Sequence, residues 1–160
     1  MTTKGFTTCL WFDGQAEEAA NFYVSVFKDS SLGDTLRYTE AGPGPAGSVL
    51  TVEFVLNGQK FIALNGGPEF KFSEAISFQI DCENQAEVDY YWDKLVEGGG
   101  EHGPCGWLKD RYGVSWQVNP VRLTEMLKDP DQSKADRAMK AMLQMHKLDI
   151  AELEKAYAGE

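Results

Sequence analysis

The chain has 160 residues, 42% of them apolar and 25% charged, with a net charge of −10. That length suits a domain with a real core. An acidic body repels phosphate backbones, which speaks against nucleic acid, and no run of about 20 apolar residues is present to span a membrane.

The charge is uneven. Residues 1–120 hold 8 Lys and Arg against 17 Asp and Glu, whereas residues 121–160 hold 7 and 8. The opening MTTKGFTT has no signal-peptide core, so the cytoplasm is the expected location. Cys9, Cys82 and Cys105 are odd in number and lack CxxC spacing. That argues for reduced thiols over a disulfide framework or a zinc knuckle. His102-Gly-Pro-Cys105 could offer two metal ligands, but it reads as a loop with no further His or Cys near it.

Phe6–Phe12 reads as a strand, with Phe6, Thr8, Leu10 and Phe12 on one face and Thr7, Cys9 and Trp11 on the other. Asp13 is the expected N-cap of a helix over Gln15–Phe27. Ala19, Phe22, Tyr23, Val26 and Phe27 form its apolar stripe. Leu32–Glu40 reads as an exposed strand, and Ala41–Ser48 (AGPGPAGS) as a Gly/Pro-rich rim loop without phosphate-cradle spacing. In Val49–Leu56, Leu50, Val52, Phe54 and Leu56 alternate with Thr51, Glu53 and Val55. Asn57-Gly58 is a hairpin turn, and Phe61–Asn65 follows as a strand. On that strand Ala63 and Asn65 are expected on the face shared with Thr51 and Glu53.

The second half repeats this order. Ala75–Asp81 carries Ile76, Phe78 and Ile80 on one face and Ala75, Ser77 and Gln79 on the other. Asn84 and Glu87 are a capping pair for a helix over Gln85–Val96, with Val88, Tyr91, Trp92, Leu95 and Val96 as its stripe. Gln15-Ala16-Glu17 recurs 70 residues later as Gln85-Ala86-Glu87. Gly106–Pro120 then reads as strand, turn and strand. Asp110 opens the turn and Gly113 closes it, while Val114, Trp116 and Val118 alternate with Ser115, Gln117 and Asn119. In residues 121–160, Asp129-Pro130-Asp131 breaks a short helix. A helix follows over Lys134–His146, and Asp149 and Glu152 cap a last one. Four of the five methionines lie here, which suits packing over the preceding module or across a dimer interface.

LWFDGQAEEAANFY (Leu10–Tyr23), FIALNGGPEF (Phe61–Phe70), ISFQIDCENQAEVDYYWDKL (Ile76–Leu95) and the Gly106–Pro120 hairpin carry a resemblance. Together they resemble the PhnB-like, or demethylubiquinone methyltransferase-like, branch of the glyoxalase/bleomycin-resistance/extradiol-dioxygenase superfamily, the vicinal oxygen chelate proteins. The resemblance implies an α+β fold: two βαβββ modules, at about 5–66 and 75–120, with curled mixed or antiparallel sheets whose concave sides form a cup. It thus implies a glyoxalase-like domain over 1–120 and a helical tail over 121–160, and it suggests a homodimer.

The faces away from the apolar stripes then supply the cup lining. Thr7, Trp11, Asn65, Ser77, Gln79 and Gln117 are the expected substrate-binding residues, and Glu53 and Cys9 the candidate reactive groups. A buried Glu53 would suit a general base; at a strand edge it would instead face water or pair with Arg37. Metal-dependent members hold a divalent ion with His and Glu, and the matching positions here are Thr7, Ala75 or Ser77, and Gln117. Hydroxyls and amides are poor transition-metal ligands, so no metal and no other cofactor is expected. Methyl transfer has no support beyond the family label, because the Gly98–Gly100 run follows a helix rather than the first strand of a parallel sheet, and the chain reads as antiparallel hairpins. Two readings stand: a metal-independent enzyme on a small polar molecule, or a non-catalytic small-molecule binding protein of the bleomycin-resistance type.

Overall fold

The computed structural model describes residues 5–160. Residues 1–4, which head both MTTKGFTT and the expected 1–120 domain, lie outside the described residues. The chain divides into two units, Met1–Lys71 and Phe72–Glu160.

The first unit is one βαβββ module: β1 (Thr8–Phe12), α1 (Ala16–Val26), β2 (Ser30–Arg37), β3 (Val49–Leu56) and β4 (Gln59–Asn65). Its sheet has the order β1-β4-β3-β2, with β1 parallel to β4 and the other pairs antiparallel. Leu10, Phe12, Val52, Phe54, Leu56 and Phe61 are buried, as are Ala16, Ala19, Ala20, Tyr23 and Val26 of α1. Three alanines on one stripe let the helix sit close to the sheet, and Tyr23 stacks on Phe54 at 5.9 Å. Phe6, expected on the same face, is 97% exposed because the strand starts two residues later.

Two expectations are corrected in this unit. Asn57 and Gly58 both take positive φ, as a two-residue hairpin requires, and they pair Leu56 with Gln59. Counting back, Glu53 faces Ile62 and Val52 faces Ala63. Ala63 and Asn65 therefore belong to the helix side, and Ile62 and Leu64 take their place on the open face. Asp13 does not cap α1 either. Gly14 at φ 83° carries the chain past it, and the first helical amide, Ala16 N–H, donates to Asn65 Oδ1 at 2.9 Å. The helix is capped by the strand it packs on.

The second unit repeats the plan: β5 (Ser77–Cys82), α2 (Gln85–Lys94), β6 (Glu101–His102), β7 (Trp107–Lys109) and β8 (Ser115–Pro120). Its sheet order is β5-β8-β7-β6, again with the outer pair β5–β8 parallel. Asn84 caps α2 by accepting from Glu87 N–H at 3.0 Å. Ile80, Cys82, Val88, Trp92, Leu95, Trp116 and Val118 are buried. Ile76 is 74% exposed, one residue short of the strand, so the apolar face of β5 begins at Phe78.

Three helices complete this unit: α3 (Val121–Leu127), α4 (Gln132–Met142) and α5 (Ile150–Ala158). Leu123, Met126, Ala138, Leu148 and Leu153 form their own small core. Backbone bonds hold the tail to the module. Cys105 N–H donates to Met145 C=O at 2.8 Å and Gly106 N–H to His146 C=O at 2.7 Å. Gln85 clamps both sides of the α5 entry, donating to Leu148 C=O and accepting from Ile150 N–H. No described helix is long and apolar enough to cross a membrane.

Candidate functional site

The β7–β8 hairpin builds the better-defined surface. Its turn follows from Asp110. The Asp110 amide donates to Val114 C=O, and Gly113, at φ 86°, returns its amide to Asp110 C=O, both at 2.9 Å. The Asp110 carboxylate is 3% exposed and fully used. Oδ1 accepts from the amides of Tyr112 and Val114, and Oδ2 accepts from the Trp116 indole at 2.9 Å. With Trp116 locked inward, alternation sends Ser115, Gln117 and Asn119 to the face away from α2.

Register identifies their neighbours. Gln117 lies between Gln79 of β5 and Trp107 of β7, and Ser115 between Ser77 and Lys109. Gln117 Nε2 donates to Ser77 Oγ at 2.9 Å. Gln79 is exposed and donates to Asp81 at 2.8 Å. Beside this ladder lies a cleft of about 530 Å³ lined by Trp107, Lys109, Ser115, Glu74, Glu101 and Cys105 among others. Lys109 pairs with Glu74. That hydrogen bond holds the Lys109 pKa above, and the Glu74 pKa below, its ordinary value. Ser115 is 1% exposed, and its hydroxyl has no hydrogen-bond partner among the described residues. Trp107 and Lys109 were missed in the sequence; once β7 is paired with β8 they fall on this face by alternation.

The first unit presents Cys9 and Trp11 of β1 beside Ile62 and Leu64. Trp11 is half-buried. Its indole donates to Gly67 C=O at 2.8 Å, and its ring meets Phe70 edge-on at 5.0 Å. A Cβ on Gly66 would lie 2.3 Å from that ring, so Gly66 is what lets the indole lie flat. Cys9 is exposed, yet the atoms around it desolvate the thiol enough to push its pKa up. Glu53 is exposed and stands with Thr7, Lys60 and Ile62 around a smaller cleft of about 210 Å³. Arg37 donates to Gly47 C=O at 3.0 Å. Asn65, on the helix side, accepts from Ala16 and donates to Val49 C=O at 3.1 Å.

The positions that match the superfamily's metal ligands do not fit a transition metal. The Gln117 amide and the Ser77 hydroxyl are bonded to each other, Ala75 has no donor, and Thr7 offers a hydroxyl. Among the described residues no group of three His, Cys, Asp or Glu could hold an ion. His102 stacks flat on Trp92 at 4.3 Å, and its Nε2 lies 3.0 Å from Trp92 C=O.

Comparison with known proteins agrees with the geometry. Residues 4–119 match the family model for 3-demethylubiquinone-9 3-methyltransferase. A PhnB protein of that description from Bacillus cereus is 38% identical over 74% of this chain and 100% of its own, with a TM-score of 0.65. A protein from Pseudomonas aeruginosa is 22% identical over 74% and 98%, with a TM-score of 0.60. The fosfomycin resistance protein FosX from Listeria monocytogenes is 18% identical over 81% and 100%, at 0.55, a likeness of fold alone. No curated protein matches the chain.

Proposed function

The chain belongs to the 3-demethylubiquinone-9 3-methyltransferase family, the PhnB-like branch of the vicinal oxygen chelate superfamily, and we propose that it binds a small polar or aromatic molecule, without a metal, on the open face of its C-terminal sheet. The observation that carries this reading is the amide and hydroxyl ladder of Gln117 and Ser77 beside the half-buried Trp107. A few fixed polar groups next to an indole are what small-molecule sites use to orient a ligand. Under the same reading the protein works as a homodimer in the cytoplasm, a reducing compartment that suits its three free cysteines.

A catalytic reading rests on the other unit, where Thr7, Glu53 and Lys60 share one cleft. A carboxylate and an ammonium on one rim could move a proton. Cys9 fits nucleophilic chemistry less well, because a raised pKa keeps it a thiol near neutral pH. Methyl transfer comes to this chain only with the family's name. The binding reading is tested by native mass spectrometry of protein purified from its source, followed by titration of Gln117→Ala with the compound found. We expect an unchanged melting temperature and an affinity lower by about 1–3 kcal/mol, the usual cost of leaving a polar partner unpaired. A copurified ligand that binds Gln117→Ala as tightly as the parent would sink the assignment of this face.

A further inference from the structure

The cleft beside β7 contains an arrangement that the ladder does not explain. In the order β5-β8-β7, Glu74 lies just before β5 and Lys109 lies on β7, with Ser115 of β8 between them. The Lys109–Glu74 ion pair therefore crosses β8 beside Ser115, whose hydroxyl is buried without a partner among the described residues. A buried, unpaired hydroxyl costs free energy and persists where something else takes up its bonding capacity. Lys109 also has a second carboxylate available. Glu101 is its direct cross-strand neighbour, and the Glu101 carboxylate makes no side-chain hydrogen bond or ion pair among the described residues. If the ammonium swings from Glu74 to Glu101, it stays paired, uncovers Ser115 and frees the Glu74 carboxylate.

We propose that this cleft is a site for a small organic amine whose ammonium replaces that of Lys109 on Glu74 and donates to Ser115 Oγ, while its apolar body lies on Trp107. The proposal rests on the open sheet face being the ligand surface, and it adds the ligand's chemistry. The charge balance decides the class. Two carboxylates face one lysine, so the cleft keeps an excess negative charge that favours a cation and disfavours an anion. An indole is the best aromatic surface for an ammonium. Lys109 already shows the Glu74 half of the bound geometry, acting as a tethered copy of the ligand's head group that leaves Ser115 Oγ unbonded. A tethered competitor lowers the apparent affinity by the fraction of time it occupies the site.

The test is a nitrogen–proton NMR titration of the full chain with phenethylamine, its neutral counterpart 2-phenylethanol, and anionic 3-phenylpropionate. The amine is expected to shift the Trp107 indole and Ser115 amide signals saturably, and the other two to leave them in place. Lys109→Met should tighten amine binding about tenfold by removing the competitor, and Glu74→Gln should weaken it about tenfold by removing the anchor, each a change of about 1.4 kcal/mol. Both positions are on the surface, so the variants keep the fold. Amine binding that Lys109→Met leaves unchanged or weakens overturns the proposal that Lys109 occupies the amine's place on Glu74. If the alcohol or the acid shifts Gln117 and Gln79 as strongly as the amine does, the amine class falls and the open-face reading survives. If no probe shifts any signal on that face, both fall.

Discussion

Asp110 and its hydrogen bonds show how far single residues carry the argument. Asp at the first position of a turn is an ordinary sequence signal, and the turn forms as that signal implies. The sequence does not show that the same carboxylate is buried and receives the Trp116 indole six residues on, because that bond depends on how the hairpin folds over itself. The bond predicts a graded response at position 116. Trp116→Phe should cost about 1–2 kcal/mol, since Oδ2 loses a donor inside the protein. Trp116→Ala should cost about 3–5 kcal/mol, since a cavity is added to the lost bond. Gln117→Ala should leave the thermal midpoint within about 1 °C, because a partly exposed amide can be replaced by water. A thermal melt in which Gln117→Ala unfolds the protein while Trp116→Ala is silent would reverse the faces of β8. Asn65 is the opposite case. Its placement in the lining rested on alternation within Phe61–Asn65 and the superfamily architecture, whereas the two-residue Asn57-Gly58 turn already dictated the register that puts it under α1. The information was in the sequence and needed only counting from the turn.

At the scale of elements, helices and turns were the most legible and strand ends the least. Both apolar stripes lie where helical periodicity puts them, on α1 and α2, and both sheets have the same order with a parallel outer pair. Phe6 and Ile76 failed because alternation continues past the last backbone bond of a strand, and only pairing reveals where the strand stops. The β5–α2 junction yields a test of burial. Cys82 is fully buried at the end of β5, and desolvation, with Glu87 and Asp81 adding to it, pushes its thiol pKa up to about 12. The raised value means that the stabilising term is fully present below the unfolded thiol's pKa and is lost as pH rises from there toward about 12. Between about pH 8 and pH 10.5 the urea midpoint should therefore fall by the equivalent of about 1–2 kcal/mol more in the parent than in Cys82→Ala. Equal slopes in the two proteins would show that the thiol is not buried in solution. In the same native state iodoacetamide should label Cys9 and spare Cys82, which mass spectrometry reads directly.

For the molecule as a whole, the repeated module was legible because two strand–helix–strand units in one order, 70 residues apart, leave few topologies to consider. The tail was legible only as helices. What it packs on was not, since contacts such as Gln85 with Leu148 and Ile150 join residues more than 60 positions apart. Knowing that contact sharpens the expectation of a homodimer. Met126 is buried inside the second unit, and Met142 and Met145 pack against its small helical core. The methionines as a group therefore do not demand a partner. Besides Phe6, Phe70 and Ile76, the large apolar residues left open among the described residues are Met139 on α4 and Leu143 just after it, 40% and 56% exposed, and Leu32 and Leu36 on β2, 45% and 59% exposed. Strand β2 is also the edge of its sheet, with unpaired backbone groups that a second chain could use. A two-fold partner on β2 would extend the sheet beside both leucines, which the register shift between Leu32 and Thr35 puts on opposite faces, whereas one on α4 would cover only a narrow stripe. Light scattering should therefore give twice the 17.8 kDa chain mass at micromolar concentration. Leu32→Lys with Leu36→Lys should return the protein to a monomer, and Leu143→Lys should leave the dimer intact. A parent protein that scatters as a monomer would remove the homodimer. A dimer broken by Leu143→Lys and spared by the β2 pair would move the interface to α4.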